Sequence, residues 1–198
     1  MEISLNWCYI TIMKITLITG NLGKVEEVKR YLGAMPNIEI DHRHVDLEEI
    51  QSLDVKEIVN DKAMRAYEKI GMPVLVEDVS LVFNSMGKLP GPFIKWFLQE
   101  LKSDGLCRLM DGKDRGCIAT VCYGFCDGQT VQLFSGEMRG VVADSPKGEY
   151  FGWSSVFIPE GYDKTYAEIT AEERDVVSMR KIALKKFHDF LISNEGNL

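Results

Sequence analysis

At 198 residues and a net charge of −7, the chain is long enough for one full core and too acidic for a general nucleic-acid or membrane-surface binder, whose partners are themselves anionic. A small anionic ligand in a local basic pocket is not excluded. Five cysteines (Cys8, Cys107, Cys117, Cys122, Cys126) with no CxxC pair fit reduced thiols in a cytoplasmic protein better than a disulfide framework or a zinc site, and no run reaches the ~18 apolar residues of a membrane span.

Residues 1–12 carry Glu2 and lack a basic start and a small-residue cleavage site. They read as an N-terminal extension rather than a signal peptide, with one domain over 13–198. Residues 14–18 read as a strand, followed at once by Thr19-Gly20-Asn21-Leu22-Gly23-Lys24. A helix over 25–32 follows, with Val25, Val28 and Leu32 on one face and Gly33 just past its end. A strand, a Gly-containing turn and a helix N-terminus make an anion site, because unpaired N–H groups point at the ligand. The P-loop pattern is absent, since it needs four residues between its glycines and Ser or Thr after the lysine. An ordinary strand-to-helix turn is the alternative, and Asn21 and Lys24 favour phosphate.

Ile38 and Ile40 alternate as a short strand; His42 and His44 share a face without a third metal ligand in range. The acidic segment 46–51 is either solvated or a source of a metal ligand. Asp54 and Glu57 form a capping-box pattern opening a helix that turns Val55, Ile58, Val59, Ala63, Ala66 and Ile70 to the core and ends at Gly71 and Pro73. Lys62 on that helix is, on residue type alone, a surface lysine. Residues 74–76 read as a buried strand with Glu77 and Asp78 at its end, then a second apolar run over 81–83. Adjacent acids there are either a solvated strand end or a Mg²⁺ or general-base site. A Gly/Pro loop over 87–92 leads into a helix over 93–101 that carries Lys95 and is expected to bury Phe93, Trp96 and Phe97, and then into a shorter helix over 104–110.

Strands over 117–126 and 130–134 are joined across Asp127-Gly128, which favours a tight type I′ hairpin, and 141–142 is a further strand fragment. The aromatic loop over 151–155 suits stacking on a base or serves as a structural turn, and 156–158 reads as the final strand. The last helix starts at Thr170, with Glu173 as capping-box partner, and carries the stripe Val177, Leu184, Phe187 and Leu191. Arg180 lies within this stripe, so it needs either a structural ion pair or a ligand, because an unpaired buried charge is expensive.

Taken in order, TGNLGK after a strand, DLEEIQ, LVEDVSL, GKLPGP, FIKWFL, FGW and a C-terminal S-x-R on a helix resemble the inosine triphosphate pyrophosphatases from about residue 13 to 190, close to the eukaryotic branch. The resemblance implies an elongated α/β fold, a mixed sheet flanked by helices in two lobes with the substrate groove between them. It also implies a homodimer and Mg²⁺-dependent hydrolysis (Mn²⁺ being a substitute) of ITP, dITP and XTP to the monophosphate and pyrophosphate. Carried over position by position, Thr19, Gly20, Asn21, Leu22, Gly23 and Lys24 would cradle the triphosphate, with Lys62 and Lys95 beside it. Glu49 and Asp78 would hold the metal, Asp78 with Val79 beside it also orienting or deprotonating the attacking water, and Lys24 would act with it in catalysis. Phe151, Gly152, Trp153 and Ser154 would form the base platform, and Arg174, Ser178, Met179 and Arg180 the base pocket, Arg180 reading a purine 6-oxo group.

Three positions depart from that pattern: Ser154-Ser155 stands for Asp-Pro, Met179 for His, and Val79 for Ser or Thr. The first two sit where specificity is read, by groups whose mispairing gives discrimination, whereas the phosphate and metal set is intact. A pyrophosphatase of altered base preference and a nucleotide-binding protein of weak or no turnover are therefore the alternatives. An RNA-binding module is disfavoured by charge and by the absence of RRM-type or KH-type motifs.

Overall fold

The computed structural model describes residues 13–32, 38–149 and 152–194. The expectations placed on residues 1–12, Gly33 and Phe151 lie outside the described residues. A seven-stranded mixed sheet runs β2 (Ile38–Arg43), β1 (Met13–Ile18), β3 (Val74–Phe83), β5 (Gly116–Cys126), β6 (Val131–Val142), β7 (Phe157–Pro159), with the two-residue β4 (Pro90–Gly91) pairing on β3. β1 is parallel to β2 and β3; every other pairing is antiparallel.

Helix α1 (Leu22–Leu32) links β1 to β2, and α2 (Val55–Ile70) links β2 to β3 on the far side of β1. Their apolar stripes pack into two different clusters. Val25, Val28 and Leu32 of α1 join Ile15, Leu17 and Leu75, while Val59, Ala63 and Ala66 of α2 join Ile18, Val74 and Val76. Because side chains alternate along a strand, the two helices cover opposite faces. The chain thus leaves β1 first to one side and then to the other, and such a switch point opens a crevice at the carboxyl end of the strand. β1 pairs with β3 only through Thr16–Val74 and Leu17–Leu75, so the rest of β3 parts from it there.

β3 is a single ten-residue strand, not two short runs separated by acids. All ten of its residues are in register with β5, from Val74–Cys126 to Phe83–Cys117. Backbone pairing carries the strand through Glu77 and Asp78. Alternation turns Glu77 to the α1 face and Asp78 to the α2 face, which gives the two neighbours different partners.

β6 likewise runs unbroken to Val142, and the β5–β6 loop is not a two-residue turn. Cys126 pairs with Val131, so four residues bridge the strands, and the Asp127 carboxylate accepts the Gln129 and Thr130 N–H groups. The span α3 (Ile94–Leu109) is interrupted at Lys102, φ 58° and ψ 177°, so it is two helical segments meeting at a kink, as the sequence suggested. Trp96 on its first turn is 60% exposed rather than in the core.

The expected last helix is two. Thr170 and Glu173 do form the capping box of α4 (Ala171–Val176), but Ser178 then caps a second helix, α5 (Met179–Ser193), by accepting the Lys181 N–H at 3.2 Å. A side-chain oxygen there offers the backbone a fresh start. Val177 falls in the break, and Leu184, Phe187 and Leu191 carry the stripe.

The start of α5 lies directly on β6. A Cβ added to Gly136 would sit 1.9 Å from the Met179 carbonyl oxygen, and backbone cannot yield as a side chain can. Gly136→Ala is expected to cost about 1–3 kcal/mol, the usual penalty of overpacking. Shifting Met179 and Arg180 should also lower activity in the protein that remains folded; melting curves and turnover on one preparation check both.

Candidate active site

Beyond the point where β1 leaves β3, a cleft of about 360 Å³ opens, lined by the starts of α1, α3 and α5, by Glu49, and by the loop around Trp153. Of the residues predicted from sequence, Asn21, Lys24, Glu49, Asp78, Val79, Lys95, Gly152, Trp153, Ser154, Met179 and Arg180 line it together.

The turn after β1 is built from local bonds. The Thr19 N–H donates to the Arg43 carbonyl at 3.0 Å, fixing the turn to β2, and the Thr19 hydroxyl accepts the Asn21 N–H at 3.1 Å. The Asn21 side chain accepts the Gly23 N–H at 2.9 Å and the Lys24 N–H at 3.4 Å, holding donors at the start of α1. Gly20 leaves room for the His44 imidazole, whose Nδ1 would be 2.8 Å from a Cβ. Leu22 points to solvent, 66% exposed.

Below this turn lies a buried charge cluster. Glu77 accepts Lys24 Nζ at 3.0 Å and Arg180 Nη2 at 3.0 Å, and Arg180 Nε stands 3.5 Å from Glu27. Burial pushes the Glu77 carboxyl up, but Arg180 and then Lys24 outweigh it and hold it well below the usual carboxylate range. Burial pulls the guanidinium down and Glu77 more than restores it. Glu27, with weaker compensation, is raised by burial. Both readings of Arg180 therefore meet in one residue, which is paired in the core and also lines the cleft.

On the opposite face Asp78 has lost most of its solvent. Burial raises its carboxyl, opposed by Lys62 and by the Val79 N–H, which donates to Oδ1 at 2.7 Å. Glu49 adds to the rise, and Lys62 Nζ contacts Glu49 at 2.5 Å. Lys62 is thus drawn between two carboxylates rather than sitting as a plain surface lysine. No group of three His, Cys, Asp or Glu residues forms a metal cluster among the described residues. Two carboxylates nonetheless suit Mg²⁺, a hard ion commonly held by one or two protein oxygens with substrate phosphates and water completing its shell.

The other end of the cleft is aromatic and mostly uncharged. Trp153 packs edge-on against Phe157, ring centroids 5.4 Å apart. Ser154 and Met179 are buried beside it. Trp96 and Tyr166 also line the cleft, neither of them assigned there by sequence reasoning; Lys95 Nζ lies 5.6 Å from the Trp96 ring. The signal for Trp96 was its place four residues past the Pro90-Gly91-Pro92 turn, on a helix whose buried side is supplied by Ile94. Arg174 is not a lining residue: it donates to the Ile169 and Tyr166 carbonyls at 2.5 and 3.4 Å and so braces the Tyr166 segment from behind. The Ser178 hydroxyl serves as a helix cap.

Comparison with known proteins finds relatives over most of the chain. The model of the Ham1 family matches residues 15–190. An inosine triphosphate pyrophosphatase of Scheffersomyces stipitis is 38% identical over 191 residues, covering 90% of this chain and 98% of that protein. Inosine triphosphate pyrophosphatase 2 of Trypanosoma cruzi is 44% identical over 175 residues, 86% of this chain and 88% of the relative. In fold, the chain superposes on a HAM1 protein from Coxiella burnetii with a TM-score of 0.82 at 22% identity, covering 92% of this chain and all of the other. The Staphylococcus aureus Ham1 protein gives 0.79 at 24% identity over 91% and 99% of the two chains.

Proposed function

The chain belongs to the Ham1 family, and we infer that it is a nucleoside-triphosphate pyrophosphatase, hydrolysing ITP, dITP and XTP to the monophosphate and pyrophosphate. The observation that carries the reading is the polarity of one cleft. Lys24, Glu49 and Asp78 line one part of it, with Lys62 held on Glu49 just behind the lining, and an aromatic wall with Arg180 lines the other.

A triphosphate brings about four negative charges, which must be offset before water can attack. Lys24 and Lys62 supply that offset within a chain of net charge −7, and Lys95 adds to it from the aromatic side of the cleft. Glu49 and Asp78 would hold Mg²⁺, which when bound supplies charge neutralisation and a lowered pKa for water. Asp78 accepts the proton of the attacking water as its oxygen bonds to the α-phosphorus. The bond from that phosphorus to the bridging oxygen breaks, and pyrophosphate leaves. Trp153 offers a face for the base, and Arg180 donates to a 6-oxo group that a 6-amino group could not replace as acceptor.

Pyrophosphate release from ITP, XTP, dITP, dUTP, ATP and GTP with Mg²⁺ tests this. Preference for the deaminated purines is expected, and no turnover with any of the six would overturn the reaction. A second reading, altered base preference, is favoured by the burial of Ser154 and Met179 at the base end. Turnover spread across the panel and narrowed by Ser154→Asp with Met179→His would support it.

The assembly is a homodimer on this reading. Beyond α2 the sheet carries Val82, Ile118, Val141 and Ile158 on one face beside a hollow of about 370 Å³, with Val141 43% exposed. A second copy would cover these side chains. Val141→Glu is expected to shift a dimer towards monomer in light scattering, and a wild-type monomer at micromolar concentration would refute the assembly. No helix among the described residues is long and apolar enough to cross a membrane. The buried free thiols Cys107, Cys117, Cys122 and Cys126 suit the cytoplasm as the site of action.

A further inference from the structure

The two ends of the cleft meet on a single oxygen. Glu77 Oε1 accepts Lys24 Nζ and Arg180 Nη2, each at 3.0 Å. Arg180 Nε adds longer contacts to the two carboxylate oxygens, at 3.3 and 3.4 Å. Lys24 belongs to the phosphate end, at the start of α1, and Arg180 to the base end, at the start of α5. Two cations on one acceptor repel each other and loosen each other's hold.

They are not equally able to leave. The Lys24 side chain is 21% exposed and the Arg180 side chain 7%, while Glu77 is 2% exposed and has almost no water to turn to. An arriving polyphosphate competes for Lys24 and not for Glu77. Once Lys24 has turned to it, Arg180 is the cation left to compensate the buried carboxylate beside the neutral Tyr123 hydroxyl, and a planar fork without a rival cation on Glu77 settles into a shorter, better-defined pair.

We propose that Glu77 is a positioning residue coupling the two ends of the cleft: engagement of Lys24 by phosphate leaves Glu77 to Arg180, which fixes the guanidinium and sharpens base discrimination. This rests on the nucleoside-triphosphate reading above. Glu77 touches neither water nor phosphate in this scheme, and its effect is read through the selectivity of Arg180.

The test compares two ratios in one protein: ITP over ATP in kcat/KM, and inosine over adenosine in inhibition constant. The nucleosides fill the base end and leave Lys24 on Glu77. In the wild type the triphosphate ratio should exceed the nucleoside ratio by about tenfold, the scale of one charge-assisted hydrogen bond. Glu77→Gln should bring the two ratios together. Lys24→Gln, which leaves Glu77 to Arg180 without any phosphate, should raise the nucleoside ratio by a similar factor even though turnover falls. If Glu77→Gln lowers kcat/KM for ITP and ATP equally and keeps their ratio, Glu77 is merely structural and the coupling is wrong. An unchanged nucleoside ratio in Lys24→Gln overturns it as well, and decides the matter should Glu77→Gln fail to fold. A wild type that selects ITP with equal ratios refutes the coupling alone, whereas one that turns over no triphosphate refutes the reaction and the coupling with it.

Discussion

Asp78→Asn should lower kcat by about 10²–10⁴, the range for loss of a general base, while leaving the fold intact or firmer. The substitution is nearly isosteric, and an amide oxygen still accepts the Val79 N–H that now bonds Oδ1. What disappears is a charge and a basic lone pair facing Lys62 and Glu49. Burial raises the Asp78 carboxyl above its ordinary value, so in the metal-free protein the ionised group subtracts from stability at neutral pH. The sign follows from linkage: a folded-state pKa above the unfolded one means the native state gains protons as the pH falls, and stability with them. The asparagine variant should therefore melt no lower than wild type at pH 7, with the difference narrowing towards acid. Full turnover by this variant at saturating Mg²⁺ would remove Asp78 from the chemistry.

Features whose causes lie within a few residues were readable in the chain. The strand-turn-helix at Thr19–Lys24 and the Thr170–Glu173 box are local hydrogen-bond patterns that the structure has, whereas the Asp54–Glu57 box is only half there: Asp54 caps α2 through the Lys56 N–H, and Glu57 accepts the Ser52 hydroxyl instead. Features decided across the sheet were not. Nothing near Glu77 announces that β5 will pair all ten residues of β3, or that one acid will face α1 and the other α2. Ser178 lay inside the span expected as a single helix, and its capping of α5 became evident only once the helix had broken at Val177. Trp96 was assigned to the core on hydrophobicity alone; it is exposed because Ile94 already fills the buried side of that turn and the cleft lies on the other. The family resemblance named much of the cleft's lining where local patterns could not, since Glu49, and Lys62 held on it, are ordinary surface residues until α2 and the 46–51 segment are brought beside Asp78.

Arg180→Leu should have the largest effect on stability of any single change at the site, about 3–5 kcal/mol, because it leaves a buried carboxylate with one partner fewer. Leucine matches much of the arginine stem, and the stripe of α5 tolerates an apolar side chain, so the cost falls on Glu77 rather than on packing. Lys24 remains at 3.0 Å but is the more exposed of the two cations and compensates less. In the wild type the depressed Glu77 carboxyl contributes stability that is fully present above its unfolded value of 4.5 and is lost only in strong acid. In the variant burial dominates and the same carboxyl rises, so the deficit relative to wild type should shrink as the pH falls from 7 towards 5. Adding Glu77→Gln to Arg180→Leu removes the stranded charge and should recover more than half of the loss at pH 7. Denaturant melts of the four proteins at pH 5 and 7 close a double-mutant cycle. Additive losses would mean that the 3.0 Å contact between Arg180 and Glu77 carries little of the fold's stability, and that the guanidinium is held chiefly by Glu27 and the packing of α5.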